Sequence, residues 1–371
     1  MSTGAVAARP LPKRVLRRAI KLFDAVTTPT GVDRYVELVR PSWSSTEVRA
    51  KVMAVTQSTP RSVTLSLRPN GNWLGFRAGQ YTQLRVEIDG VQHTRCYSMA
   101  NAATDGDGLI ELSATVQPDG LVSSFLRDEL RKGQIVRLTR AQGFFTLPER
   151  EPDHLLLISG GSGITPVMSM LRTRCALGWR RPVTFLHYAL RQDDMLYRDA
   201  LDELAAAPGV RLVRVFTEEP GAGDLDGFLD AGHLDAAMPA WRQSEAFVCG
   251  PDALMESARQ LFVGAGRGNH FHTEAFTLGN VAAEAGLVGG TVHFAQAELG
   301  IPSDGTPILL QAEKAGLAPV HGCRMGVCHT CVRQLGSGVV RDVVTGELTS
   351  GPDAQIRICV SVPLGDVEID L

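Results

Sequence analysis

The stretch His321–Cys331 reads HGCRMGVCHTC, and its cysteines set the frame for the rest of the chain. Cys323, Cys328 and Cys331 are spaced C-x4-C-x2-C, and a fourth, Cys359, follows in RICVSV. This is the plant-type [2Fe–2S] spacing, in which a tight loop offers three thiolates and a later strand offers one more. Gly322 and Gly326 let such a loop fold back over inorganic sulfide, because glycine is at ease at positive φ. A structural zinc site would pair C-x2-C with a second C-x2-C or with two histidines. Here the second half is the single Cys359, and His329 falls inside the loop. A one-electron carrier near one end of a chain raises the question of where electrons enter.

A chain of 371 residues has room for about two to three domains. The formal net charge of −3 gives nucleic-acid binding no compositional support. No apolar run has membrane-spanning length, and no signal-peptide h-region is expected. The seven cysteines, with four in one ligand set, argue for a reducing, cytoplasmic setting rather than a disulfide framework. Cys96 and Cys175 read as small packed residues.

Residues 1–46 stand apart as a basic extension. Arg9, Lys13, Arg14, Arg17, Arg18 and Lys21 precede the first acid, Asp24. Val15, Leu16, Ala19, Ile20, Phe23 and Val26 recur at helical spacing, which predicts a basic amphipathic helix within residues 1–28. Such a helix can lie on an anionic membrane surface, dock a partner, or pack on the main body with a solvated basic face.

Residues 47–150 read as β. VRAKVMAVTQST, SVTLSLRP, YTQLRVEI, HTRCYSMA, LIELSATVQ and QIVRLTRA are short runs rich in Val, Thr and Leu, separated by turn residues. Their spacing predicts a small antiparallel barrel. One helix interrupts it at LVSSFLRDELRKG, with Ser123 or Ser124 as its cap and Gly133 as its stop. Residues 151–278 change pattern. HLLLISG, VTFLHYAL, VRLVRVF and AFVCG are continuous apolar strands with helical stretches between them, which predicts a doubly wound α/β sheet. Thr165 fits the N-cap and Pro166 the first helical position after the first of these strands. Residues 279–289 read as a small-residue linker. Residues 290–371 hold a strand pair, a helix at TPILLQAEKAG capped by Thr306, the cysteine loop and closing strands. They predict one sheet with a helix across it, an α+β domain.

Four further strings carry chemistry. Arg95-Cys96-Tyr97-Ser98 ends a barrel strand and offers a cation for a pyrophosphate, an aromatic ring to stack on a flavin, and a hydroxyl for a ring nitrogen. Gly120-Leu121-Val122-Ser123 opens a helix in the same barrel, and backbone N–H groups at a helix N-terminus bind phosphate. Together they point to a flavin. Ser159-Gly160-Gly161-Ser162-Gly163-Ile164-Thr165-Pro166 follows a buried strand and opens a helix, so a pyrophosphate can approach the helix N-terminus. Cys249-Gly250-Pro251-Asp252 ends a later strand of that sheet, at an edge where doubly wound folds bind ligands.

With R-x-Y-S, G-x-V-S, G-G-S-G-I-T-P and C-G-P in this order, residues 47–371 resemble the ferredoxin–NADP reductase superfamily with a plant-type ferredoxin domain fused at the C-terminus. The extension and the CRMGVC loop are most similar to reductases that serve membrane di-iron acyl-CoA desaturases and related oxygenases. The resemblance implies a multidomain fold: an antiparallel β-barrel for FAD, a doubly wound α/β nucleotide domain and a β-grasp ferredoxin domain. It implies that Arg95, Tyr97 and Ser98 hold FAD, with Ser98 near the flavin N5. Val116 joins this set, and Gly120, Val122 and Ser123 take the pyrophosphate. Gly160, Gly161, Gly163, Ile164, Thr165 and Pro166 would cradle NAD(P)H, together with Cys249, Gly250, Pro251 and Asp252. Thr165 and Cys249 would lie by the nicotinamide, and Phe276 of the Glu274-Ala275-Phe276 string against the flavin. Cys323, Cys328, Cys331 and Cys359 would hold the cluster. The Ser-Arg pair of NADP-specific plant-type enzymes is missing, since that region reads Val215-Phe216-Thr217-Glu218. Arg191 instead offers a cation for a 2′-phosphate, which favours NADPH, with NADH as the alternative. The implied activity is electron transfer from NAD(P)H through FAD and the cluster to a membrane desaturase or hydroxylase. A soluble Rieske-type oxygenase is the alternative acceptor, and a metal-binding module without enzymatic activity is the reading from another class. Residues 1–28 would bring the protein to the inner face of the membrane.

Overall fold

The computed structural model describes residues 41–118, 120–274, 289–322, 324, 326 and 328–371. The basic segment 1–28, Phe276, Cys323 and all but the last residue of the expected linker lie outside the described residues. The segment from Pro41 is stitched to the barrel by side-chain amides. Asn70 donates to the Ser42 carbonyl (3.1 Å) and Asn72 to that of Ser44 (2.8 Å).

The first domain is a six-stranded antiparallel sheet in the order β4-β3-β6-β1-β2-β5. Its strands are β1 (Val48–Thr59), β2 (Ser62–Pro69), β3 (Tyr81–Ile88), β4 (Val91–Ser98), β5 (Ile110–Thr115) and β6 (Ile135–Leu138). A bridge between Met99 and Leu112 joins the two edges and closes the barrel. Alternation puts Val48, Ala50, Val52, Val63, Leu65 and Leu67 inside, where they pack with Val122 and Leu126 of helix α1 (Leu121–Asp128). The helix starts earlier than a serine cap would place it. Gly120 is the N-cap, and Ser123 sits in the first turn, where its hydroxyl donates to the Gly120 carbonyl (3.0 Å) and accepts from the Gln117 N–H (3.2 Å).

The second domain is a parallel five-stranded sheet, β11-β10-β7-β8-β9. Its strands are β7 (Leu155–Gly160), β8 (Val183–Ala189), β9 (Val210–Phe216), β10 (Glu245–Cys249) and β11 (Phe271–Glu274). Both faces are covered, which is why these strands read as unbroken apolar runs. Helices α2 (Ile164–Ala176) and α3 (Arg198–Ala205) cover one face, through Ile164, Val167, Leu171 and Leu201. Helices α4 (Ala231–Ala237) and α5 (Asp252–Gly264) cover the other, through Leu234, Ala258 and Phe262. Chain order reverses between β7 and β10, so their carboxyl ends form the switch-point crevice. Gly163 caps α2, not Thr165. A 3-10 turn at Gly161–Gly163 runs straight into the helix, and the Thr165 hydroxyl turns back to the Ser162 carbonyl (3.2 Å).

The polar side of α2 docks this domain onto the barrel. Arg172 pairs with Glu111 (2.6 Å), donates to the Ala100 carbonyl (2.9 Å) and lies over the Tyr197 ring (5.1 Å). The Tyr197 hydroxyl meets that of Ser113 (2.6 Å). A half-buried cation bonded to both a carboxylate and a carbonyl of the barrel holds two domains in one orientation better than an exposed ion pair would.

The last domain differs from one continuous sheet. Strands β12 (Thr291–Phe294), β13 (Leu299–Pro302), β14 (Val332–Ser337), β17 (Ala354–Arg357) and β19 (Val367–Ile369) form a mixed five-stranded sheet. A separate three-stranded sheet joins β15 (Val339–Asp342), β16 (Leu348–Ser350) and β18 (Ser361–Pro363). Helix α6 (Ile308–Lys314) crosses the larger sheet through Ile308, Leu309 and Ala312. Pro307, not Thr306, takes its cap position, and Thr306 bonds instead to Asp304.

Candidate functional site

Two glycine loops meet at the switch point. A side chain on Gly163 would collide with the Cys249 carbonyl oxygen at 2.3 Å and the Gly250 nitrogen at 2.6 Å. One on Gly250 would meet the Gly160 nitrogen at 2.8 Å. Only bare backbone fits there, so the two strand ends touch and leave their N–H groups free of side-chain cover. Beside them lies a cavity of about 700 Å³. Gly160, Gly161, Ser162, Gly163, Gly250 and Pro251 line it from the sheet, with Tyr188, Leu190, Thr217 and Phe228 further along. Arg61, Ser62, Thr115 and Gln117 line it from the barrel. A cleft of this size between two domains suits a dinucleotide. Of the residues read from the sequence, Ile164, Thr165, Pro166 and Asp252 sit in the first turns of the helices behind it. Arg191 lies just past β8, with its guanidinium paired to Glu218 (3.1 Å).

A second group gathers where barrel and sheet meet. Cys249 and Glu274 are register partners on β10 and β11, and Ser98 ends β4. Burial pushes the Glu274 carboxyl up to about 8, partly offset by the neighbouring Ser98 hydroxyl. Burial, then the adjacent Glu274, pushes the Cys249 thiol well above its ordinary value. Both side chains therefore stay neutral near pH 7. Among the described residues, the Ser98 Oγ and Glu274 Oε2 are buried with no hydrogen bond of ordinary geometry, although the two groups are close enough for the hydroxyl to favour the carboxylate. Such orphaned groups cost about 1–3 kcal/mol each, and a polar ligand arriving between the domains removes that cost. Glu274 and the Tyr81 ring both border Gly143, and neither Tyr81 nor Gly143 carries a signal in the sequence.

The flavin-type string lies on the same strand. Tyr97 packs on the barrel core, and burial keeps its phenol protonated. Val116 is buried beyond β5, where its N–H donates to the Arg61 carbonyl (2.7 Å). Gly120, Val122 and Ser123 form the start of α1. Arg95 reaches toward the last domain, donating from Nη1 to the Thr94 carbonyl (2.8 Å) and to the Gly322 carbonyl (3.3 Å). An FAD fits these residues: cation, ring and orphaned hydroxyl lie on β4 and the helix N-terminus follows β5, the two edge strands that close the barrel.

The cysteine loop is built for thiolates. Cys331 and Cys359 are buried, and a hydrogen bond from Cys359 is the main cause holding the Cys331 thiol down at about 7. The Cys328 sulfur lies where a side chain on Gly322 would sit at 2.7 Å. Gly326 holds φ +74° against Val360. Arg357 ties the loop down by donating to the Gly326 carbonyl (2.6 Å) while pairing with Asp342. Arg324 is held by both oxygens of Glu313 (2.9 and 2.6 Å). The donor chemistry of Cys328, Cys331 and Cys359 fits a cluster, while Cys323 lies outside the described residues.

Comparison with known proteins agrees domain by domain. Residues 50–146 match an oxidoreductase FAD-binding domain, 157–260 an oxidoreductase NAD-binding domain and 294–364 a 2Fe-2S iron-sulfur cluster binding domain. An NADPH oxidoreductase of Mycobacterium tuberculosis is 34% identical over 95% of this chain and 91% of that protein. A glycine betaine monooxygenase reductase subunit of Pseudomonas aeruginosa is 31% identical over 80% of this chain and 87% of its own length. Phthalate dioxygenase reductase superposes with a TM-score of 0.56 at 22% identity, covering 88% of this chain and 98% of that one. The chain thus belongs to the ferredoxin–NADP reductase-type flavoproteins with a C-terminal [2Fe–2S] ferredoxin domain, and it is an oxidoreductase of FAD, NAD(P)H and a [2Fe–2S] cluster.

Proposed function

We propose that this chain is the reductase component of an oxygenase system and delivers electrons from NAD(P)H singly to an oxygenase partner. The observation that carries the reading is the Arg95–Gly322 contact, which joins the flavin-type strand to the cysteine loop (3.3 Å). When bound, FAD and the cluster supply the redox chemistry, turning a two-electron donor into a one-electron source. The chain supplies position and electrostatics. The paired glycine loops admit the dinucleotide to the crevice. Ser98, Cys249 and Glu274 present neutral polar groups there, so no fixed negative charge opposes hydride arrival. The Arg172 clamp holds barrel and sheet in register across the crevice. The reductase subunits among the relatives, including one of glycine betaine monooxygenase, support an oxygenase acceptor.

A second reading of the acceptor rests on the termini. Residues 1–28 place six cations before the first acid, while residues from Gly290 onward carry five Lys/Arg against nine Asp/Glu. Each cation near an anionic leaflet is worth about 1 kcal/mol. That charge split favours a membrane di-iron acyl-CoA desaturase or hydroxylase, with the tail on the cytoplasmic leaflet and the cluster toward the enzyme. The match to the mycobacterial relative extends into this tail, and its name favours NADPH. The deciding experiment supplies purified reductase and NAD(P)H to membrane desaturases and to soluble Rieske-type oxygenases, and measures product. Turnover by a Rieske enzyme alone refutes the membrane acceptor, and turnover by neither class refutes the proposal.

A further inference from the structure

The crevice carries little charge for a site that would receive a dinucleotide. Of the described residues that line it, Arg61 is the one cation and Asp194 the one acid. The Gly160–Gly163 loop brings backbone N–H groups and no charge, yet a dinucleotide brings a doubly charged pyrophosphate. Arg191, the cation suggested by the sequence, is paired with Glu218 and does not line the crevice. Arg61 is differently placed. It forms the turn between β1 and β2, where its N–H donates to Thr59 Oγ1 (3.2 Å) and its carbonyl accepts from Val116 (2.7 Å). The backbone is fixed at both ends, while the guanidinium has no ion pair among the described residues. The Ser62 and Thr115 hydroxyls, 3.4 Å apart, line the same barrel side of the crevice.

We propose that Arg61 binds the pyrophosphate of NAD(P)H from the barrel side, so that the nucleotide itself bridges barrel and sheet. This rests on the reductase reading above. A guanidinium takes two phosphate oxygens at once, which fixes orientation as well as charge. The sheet offers N–H groups to one side of the pyrophosphate, and Arg61 neutralises the other. Arg61 is thus a binding residue contributed by the flavin domain to the nucleotide site.

The test uses the holoprotein and its Arg61→Ala and Arg61→Lys variants. Flavin content is read from the visible spectrum, and kcat and KM are measured with NADH and NADPH against ferricyanide. Binding of ADP-ribose, which keeps the pyrophosphate and lacks nicotinamide, is titrated alongside. Arg61→Ala is expected to raise both KM values and the ADP-ribose Kd by roughly tenfold or more, the size of one lost charge-assisted hydrogen bond. Flavin content should stay full, and Arg61→Lys should recover part of the affinity. Unchanged KM values overturn the inference. So does a loss confined to NADPH, which would place Arg61 on the 2′-phosphate, or a loss of FAD. A parent protein that carries flavin yet oxidises neither nucleotide overturns the reductase reading itself.

Discussion

Replacing Glu274 by Gln should remove a titration from the flavin–nucleotide contact. Burial pushes this carboxyl up to about 8, so at pH 7 it is roughly nine-tenths protonated. Ionisation above pH 8 would leave a buried negative charge next to Cys249 and Ser98, where a hydride is to arrive. The rate of flavin reduction by NAD(P)H should therefore fall as pH rises through about 8 in the parent protein. It should stay flat in Glu274→Gln, which copies the neutral form. Stability follows the same group. A folded pKa above the unfolded one contributes stability that is complete below the unfolded value and lost as pH rises through the folded value. Between about 4.5 and 8 the unfolded carboxyl ionises while the folded one does not, so stability relative to the Gln variant falls with pH. The slope is at most about 1.4 kcal/mol per pH unit. Stopped-flow flavin bleaching and urea denaturation, followed by flavin fluorescence across pH 5 to 9, measure both. A parent and variant with parallel profiles through pH 8 would refute the reasoning.

Other outcomes follow from single contacts. Gly163→Ala forces a methyl into the Cys249 carbonyl and should cost about 1–3 kcal/mol while nucleotide binding is lost; thermal melting and NAD(P)H titration check it. Glu218→Gln frees Arg191 and should raise kcat/KM for NADPH relative to NADH severalfold, whereas Arg191→Ala should lower it; an unchanged ratio in both excludes Arg191 from cofactor choice. Arg357→Ala unties the cysteine loop from the Gly326 carbonyl and Asp342, so cluster loss on incubation with a chelator should be faster at unchanged flavin content. The 371-residue chain should sediment with anionic vesicles at low salt and a protein beginning near Pro41 should not, because screening and removal of the six cations act on the same attraction.

Much of the fold was legible because its periodicities are strong. Val48–Thr59, Ser62–Pro69 and Tyr81–Ile88 alternate or run apolar up to clear turn residues, and their strands end where those patterns end. Helix starts were misread for one physical reason. Gly120, Gly163 and Pro307 occupy the cap positions, while the hydroxyl residues that usually cap sit elsewhere and bond locally. The split of the last domain into two sheets depends on long-range pairing, such as Val340 with Pro363, which no local pattern encodes. The site divides likewise. Gly163 and Gly250 announce themselves in strings, since close backbone approach demands glycine. Arg61 and Phe228 do not, since a turn arginine and a loop phenylalanine acquire meaning only when two domains face each other across one cavity.

The central claim is that electrons from NAD(P)H reach the cysteine loop through the flavin domain. Anaerobic addition of NADPH, with electron paramagnetic resonance of the frozen protein, tests it most directly. The parent should show flavin bleaching followed by the signal of a reduced [2Fe–2S] cluster. Cys331→Ser should still bleach its flavin and reduce ferricyanide, with no cluster signal and no cytochrome c reduction. A parent whose flavin bleaches while an intact cluster stays oxidised contradicts the account.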